Sequence, residues 1–154
     1  MIALSVRQPW AYAITAGLKP IENRTWPTRH RGLLAIHASA RWDGNDAAAT
    51  VFKLSGQYVM KAPMSAIVGV VEVVGVHQSL TCVRPGRSRH THPEGPFTCS
   101  PWAVGLGEFD GMWHWELANA RQLAEPVECK GRLGLWPVAP EVEAAVLAQI
   151  GADA

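Results

Sequence analysis

The chain has 154 residues, 48% hydrophobic and 18% charged, which excludes an intrinsically disordered chain and points to one globular domain with a sizeable core. Net charge is only +1, but it is unevenly spread: residues 1–41 carry +5 and the remainder −4, so the N-terminal third has the electrostatics to meet a phosphate-bearing ligand. The longest apolar run, 66–75, is interrupted by Glu72 and is too short to cross a bilayer. Met1-Ile2-Ala3 leads directly into patterned sequence, so no signal or transit segment is expected. Three cysteines give no disulfide framework, so a cytoplasmic, reducing setting is expected.

Ile2 to Val6 alternates as a first strand. Pro9 then suits the start of a helix and Gly17 its end, with Trp10, Ala13 and Ile14 on one stripe facing the core. This short helix delivers Lys19 to the next segment, Glu22-Asn23-Arg24-Thr25-Trp26. Read as a strand, that segment places Glu22, Arg24 and Trp26 on one face. An acid, a guanidinium and an indole beside an ammonium are more than an ordinary half-buried strand needs. Arginine and lysine grip phosphate, Glu22 accepts from an exocyclic amine, and an indole stacks on a base, worth about 1–3 kcal/mol in single-strand sites. The competing reading is a set of surface ion pairs worth about 0–1 kcal/mol each, with Trp26 in the core.

After the basic turn 27–32, which contains Arg31, residues 33–38 read as a strand buried on both faces, with His37 inside it. His37 is either a hydrogen-bonded core histidine or a weak candidate for general acid–base work. A helix is expected over about 46–58. The strongest strand is 66–76, where Glu72 either faces solvent or is paired in a site as a second acid. Residues 78–100 have no periodicity and hold Arg84, Arg87, Arg89, His90 and His92, a basic loop that either folds over a ligand or is a surface insertion. His77, Cys82, His90, His92 and Cys99 match none of the compact zinc-finger spacings, so no metal and no other cofactor is expected.

Residues 101–105 read as a short strand. Residues 113–117 alternate, with Trp113, Trp115 and Leu117 on one face and His114 and Glu116 on the other; 122–129 reads as a separate strand. Lys130-Gly131-Arg132 is a glycine-hinged basic loop ending in Trp136, and 140–150 is a closing helix. Six or seven short strands with a few helices suggest an α+β fold, a small mixed β-barrel with flanking helices.

Several of these segments together carry a resemblance. Ser5-Val6-Arg7-Gln8-Pro9-Trp10-Ala11, Gly17-x-Lys19-x-x-Glu22-x-Arg24-x-Trp26, Arg31-Gly32, Ile36-His37-Ala38, the strand around Glu72, and Pro126 to Gly131 with Gly134-Leu135-Trp136 resemble the activating signal cointegrator homology (ASCH) domain over nearly the whole chain. The resemblance implies a PUA-like pseudobarrel of five to six strands with a cleft beside the first helix. It implies RNA, single-stranded nucleic acid or a modified nucleoside as ligand, with Arg7, Lys19, Glu22, Arg24, Trp26, Arg31, Lys130 and Arg132 as the binding set. Some members are described as ribonucleases. Another branch hydrolyses acetylated cytidine with a lysine, a threonine three residues later and a glutamate; here Glu22 stands at the threonine position, so that activity does not carry over directly. Binding and catalysis in one cleft, by Lys19 and Glu22 as a metal-independent ribonuclease or an amidohydrolase on acylated cytidine-type nucleosides, stay open as alternatives. So does a protein-interaction module.

Overall fold

The computed structural model describes residues 1–79, 99–103 and 111–151. Six strands, Ile2–Gln8 (β1), Ile21–Arg24 (β2), Gly32–Trp42 (β3), Ala66–Gln78 (β4), Trp113–Glu128 (β5) and Leu135–Pro137 (β6), form one mixed sheet in the order β2-β5-β4-β3-β1-β6. Only β1 and β3 run parallel. Helices Trp10–Thr15 (α1), Asn45–Ser55 (α2) and Pro140–Ile150 (α3) complete an α+β architecture.

The alternation of apolar residues decides which helix covers which face. Leu4, Val6, Leu34, Ile36, Val71, Val73, Trp115 and Leu117 pack with Ala11 and Ile14 of α1. Ala3, Ala35, Ile67, Val70 and Trp136 point the other way and pack with Val146 of α3. Strands β1, β3 and β4 are therefore apolar on both faces, and each fully buried aliphatic side chain contributes about 1.5–3 kcal/mol. Helix α2 lies outside α1, through Val51 against Ala13.

Helix α1 ends where the sequence places its stop. Gly17 has φ +73°, and the Gly17, Leu18 and Lys19 amides all return to carbonyls of the last turn. That tight return is what sets Lys19 beside β2. The buried Gln8 fixes the other end of α1: its Oε1 accepts from the Tyr12 amide at 3.0 Å while its Nε2 donates to Pro63 O at 2.7 Å.

Strand β3 runs to Trp42, beyond the expected 33–38, residues 135–137 pair with β1 as a strand where a loop is expected, and three other readings of strand extent also change. Residues 113–117 and 122–129 are one long strand, because Asn119, at φ +50°, bulges β5 and lets it continue past an irregular ladder with β4. Ser100 to Ala103 is a turn and not a strand: the Ala103 amide donates to Ser100 O and the Trp102 amide to Ser100 Oγ. The remainder of that expected strand, and Arg84, Arg87, Arg89, His90, His92 and Cys82 of the basic loop, lie outside the described residues. The third change is in β2, which stops at Arg24.

Candidate functional site

A cleft of about 640 Å³ opens where β1, β2 and the C-terminal end of β3 meet the start of α1; its lining includes Arg7, Trp10, Glu22, Arg24, Arg41 and Asp43. Glu22 sits at its inner wall. The Lys19 ammonium donates to Glu22 Oε2 at 2.7 Å and also to the Ile21 carbonyl. Arg24 Nε lies 3.1 Å from Glu22 Oε1. That N–H is not aligned for a hydrogen bond, so the buried Nε is held by charge alone, while Arg24 Nη2 donates to Ser5 O at 3.0 Å. The Lys19 and Glu22 side chains are only 4% and 9% exposed, so this acid lies between two cations out of bulk water. Among buried groups such pairing is what makes the charges tolerable.

Lys19 is behind the cleft wall and not in the lining. Its ammonium lies 5.9 Å from the centroid of the Trp10 ring. Trp10 is therefore the cleft's indole. Its Nε1 donates to Asp43 Oδ2 at 2.7 Å, and Arg7 Nη1 donates to Asp43 Oδ1 at 2.9 Å. The Trp10 and Arg7 hydrogen bonds hold the Asp43 carboxyl below its ordinary range, against the opposing effect of burial. Arg7 and Arg41 are exposed at the rim.

A second cleft, about 430 Å³, is lined by His37, Lys130, Gly131 and Arg132 among others, and shares Ser5, Ser39, Ala40 and Leu133 with the first. The two are continuous, with Leu133 standing 99% exposed at their junction. Gly131 is required there by space: a Cβ on it would sit 2.4 Å from His37 Cε1 and 2.9 Å from Ser5 Oγ. The chain thus passes directly over the imidazole and presents Lys130 and Arg132 on either side.

His37 itself is saturated. Cys129 O only accepts, so Nε2 carries the proton and donates to it at 3.0 Å; Nδ1 then accepts from Ser5 Oγ at 3.3 Å, and Trp136 Nε1 donates to Ser5 Oγ at 3.3 Å. Burial lowers the His37 pKa, partly offset by the carbonyl bond, so the ring is held neutral. Burial likewise pushes the neighbouring Cys129 thiol up, with a main-chain bond from Ile67 opposing it, so the thiolate is disfavoured.

The structure brings together Arg7, Glu22 and Arg24, with Lys19 directly behind them, and places Lys130 and Arg132 along the adjoining groove. It does not bring in three others. Trp26 follows the end of β2, so the alternation no longer governs it; it packs edge-on against Trp115 at 4.8 Å, and Trp115 Nε1 donates to its carbonyl. Arg31 is tied to Thr28 O and His30 O at the far end of β3 from Ser39–Arg41, roughly 25 Å of strand away at ~3.3 Å per residue. Glu72 is opposite Leu33 and Ala118, bonded by Asn119 Nδ2 at 3.0 Å, also away from the cleft. Sequence reasoning missed Trp10, Arg41 and Asp43. The Gln8-Pro9-Trp10 switch was visible, but nothing local says that Asp43, 33 residues on, hydrogen-bonds that indole.

An open six-stranded mixed sheet curled toward a barrel, with three helices and a polar cleft beside the first, defines a PUA-like α+β domain. The ASCH domain model matches residues 4–127, and the chain belongs to the ASCH family. Solved structures of similar fold include an ASCH protein from Zymomonas mobilis, at TM-score 0.56 and 12% identity, covering 96% of this chain and 93% of that one. A mutant of the same protein gives TM-score 0.55 and 13% identity over 96% of both chains. Two matches of 38 residues each are found, 53% identical to human Activating signal cointegrator 1 and 47% identical to the mouse protein of that name. Each match spans 25% of this chain and only 6% of the relative's length. No helix among the described residues is long and apolar enough to cross a membrane.

Proposed function

We propose that the groove formed by the two clefts binds nucleic acid, RNA in preference to DNA, or a modified nucleoside, within a family associated with nucleic-acid binding. The observation that carries this reading is a cleft of about 640 Å³ whose wall is an ion-paired Glu22 and whose rim carries the exposed guanidiniums of Arg7 and Arg41. Arg24, Arg7 and Arg41, all in the cleft lining, take phosphate oxygens. Glu22 keeps unused acceptor capacity for a base amine, since a carboxylate has about four lone-pair sites. Trp10 offers an indole in the same space. Lys130 and Arg132 extend the cationic track past Leu133. Lys19 acts by holding the Glu22 carboxylate in place.

The test is titration of a short single-stranded RNA, and separately of cytidine-type nucleosides, at several salt concentrations. Arg24→Ala weakens binding and flattens the salt dependence; Lys19→Ala weakens it by releasing Glu22. Unchanged affinity in both variants overturns the site. The same cleft as a ribonuclease or acylcytidine amidohydrolase is separated by incubating purified protein with labelled RNA and with acylated cytidine. Turnover abolished by Lys19→Ala makes it an enzyme. Background cleavage equal in wild type and variant leaves a binder. The binding reading is favoured because His37, the imidazole nearest the groove, has both ring nitrogens engaged.

A further inference from the structure

On the opposite face of β2 and β5, three side chains remote in sequence converge. His77 on β4 and His114 on β5 are directly opposed cross-strand partners, and His114 in turn opposes Asn23 on β2. Cys99 reaches the same point from the turn at 99–103, which is itself fastened to β2 by Asn23 Nδ2 donating to Trp102 O at 2.9 Å. His77 Nε2 lies 3.3 Å from His114 Nδ1, Cys99 Sγ lies 3.5 Å from His114 Nδ1, and the three ligand atoms all fall within 4.8 Å.

We propose that His77, Cys99 and His114 form a zinc site, three protein ligands in a tetrahedron with the fourth position left to water or another donor. Zn–N bonds of about 2.05 Å and a Zn–S bond of about 2.3 Å give tetrahedral edges of about 3.3–3.4 Å between nitrogens and about 3.5 Å between nitrogen and sulfur. Two of the observed separations already have those lengths, and the third edge closes by about an ångström as the ion draws Sγ inward. The two imidazoles meet nearly perpendicular, at 88°. A borderline-soft N₂S donor set selects zinc over magnesium or calcium, which prefer oxygen.

The outer shell is also in place. Glu116 Oε1 lies 2.7 Å from His77 Nδ1; a carboxylate accepts, so the proton is on Nδ1 and the lone pair of the neutral ring is on Nε2, aimed at the other ligands. Glu116 can lie across β4 only because its partner there is Gly75, where a Cβ would come within 2.6 Å of Oε2. A bound ion would staple the 99–103 turn to the ends of β4 and β5, directly behind the strand that carries Glu22 and Arg24.

The experiment uses the full chain, stripped with chelator and titrated with Zn²⁺, then with Co²⁺ as a spectroscopic probe. The expected result is one tight ion per chain, a thiolate-to-cobalt charge-transfer band with the intense visible bands of tetrahedral cobalt, and a Tm raised by Zn²⁺. Cys99→Ser removes the charge-transfer band and the Tm shift. Glu116→Gln and Gly75→Ala weaken Zn²⁺ about 10- to 100-fold, the range for lost outer-shell partners. Cys99 and Glu116 are chosen because neither is fully buried, whereas replacing the fully buried His114 also disturbs folding. A cobalt spectrum without the thiolate band, or Zn²⁺ affinity equal in wild type and Cys99→Ser, overturns the site.

Discussion

The inner and outer parts of the cleft carry the same residue types and behave as opposites. At the inner wall, Lys19 and Glu22 pair with little water access in a geometry fixed by α1 and β2, while Arg24, its side chain 23% exposed, pairs with the same carboxylate and still lines the cleft. Outside, Arg7, Arg41, Lys130 and Arg132 are exposed, and only Arg7 among them has an ion-pair partner among the described residues. The difference shows that burial, not charge, separates cations that position from cations free to meet a ligand. Surface pairs contribute about 0–1 kcal/mol, whereas removing one member of a buried pair strands the others.

The largest effect expected from breaking this contrast is in the inner set. Glu22→Ala leaves the Lys19 ammonium buried without its counter-ion and should cost about 3–5 kcal/mol in urea unfolding; a loss below about 1 kcal/mol would mean that the inner set is no different from the rim. Gly131→Ala comes next. Its Cβ would meet the buried His37 ring, an overpacking that typically costs about 1–3 kcal/mol, and it should also shift Lys130 and Arg132 and weaken RNA binding. At the rim, Arg7→Ala and Arg41→Ala should leave stability within about 0.5 kcal/mol while each lowers the salt slope of single-strand binding by about 0.7. A rim variant that destabilises the fold but keeps the slope would reverse the assignment.

The pH dependence sharpens the comparison from another side. Burial lowers the His37 pKa below 6.5. Between that lowered value and 6.5 the unfolded chain binds more protons than the folded one, so the stability from neutral His37 is complete above 6.5 and is lost as pH falls through this window. His37→Gln should flatten that part of the stability profile. Asp43 titrates lower still: its folded pKa is depressed below 3.8, so its contribution is present above that value and disappears as pH falls through the depressed one. Asp43→Asn should remove only this acid limb, measured by thermal melts from neutral to strongly acidic pH.

Local pattern made much of this molecule legible. Gly17 ends α1 because its backbone needs a left-handed turn, and the Lys19, Glu22, Arg24 spacing brings three charges together because a helix end and a strand have fixed geometries. The same periodicity failed at Trp26, where β2 had already stopped and the indole was free to turn into the core against Trp115. It failed again between 117 and 122, where one bulged strand reads as two because Asn119 interrupts the alternation.

What the sequence determined by itself is therefore whatever depends on neighbours along the chain: the strands and helices, the apolar faces, the clustered charges at 19–24, and the set of motifs that marks the ASCH family. Tertiary structure alone decided that Trp10 and not Trp26 faces the cleft, that Asp43 ties Arg7 to it, and that His77, Cys99 and His114 meet. Those contacts arise from strand pairing and loop return across 15 to 37 residues, where the chain carries no periodic signal and only the folded register brings the side chains within bonding distance.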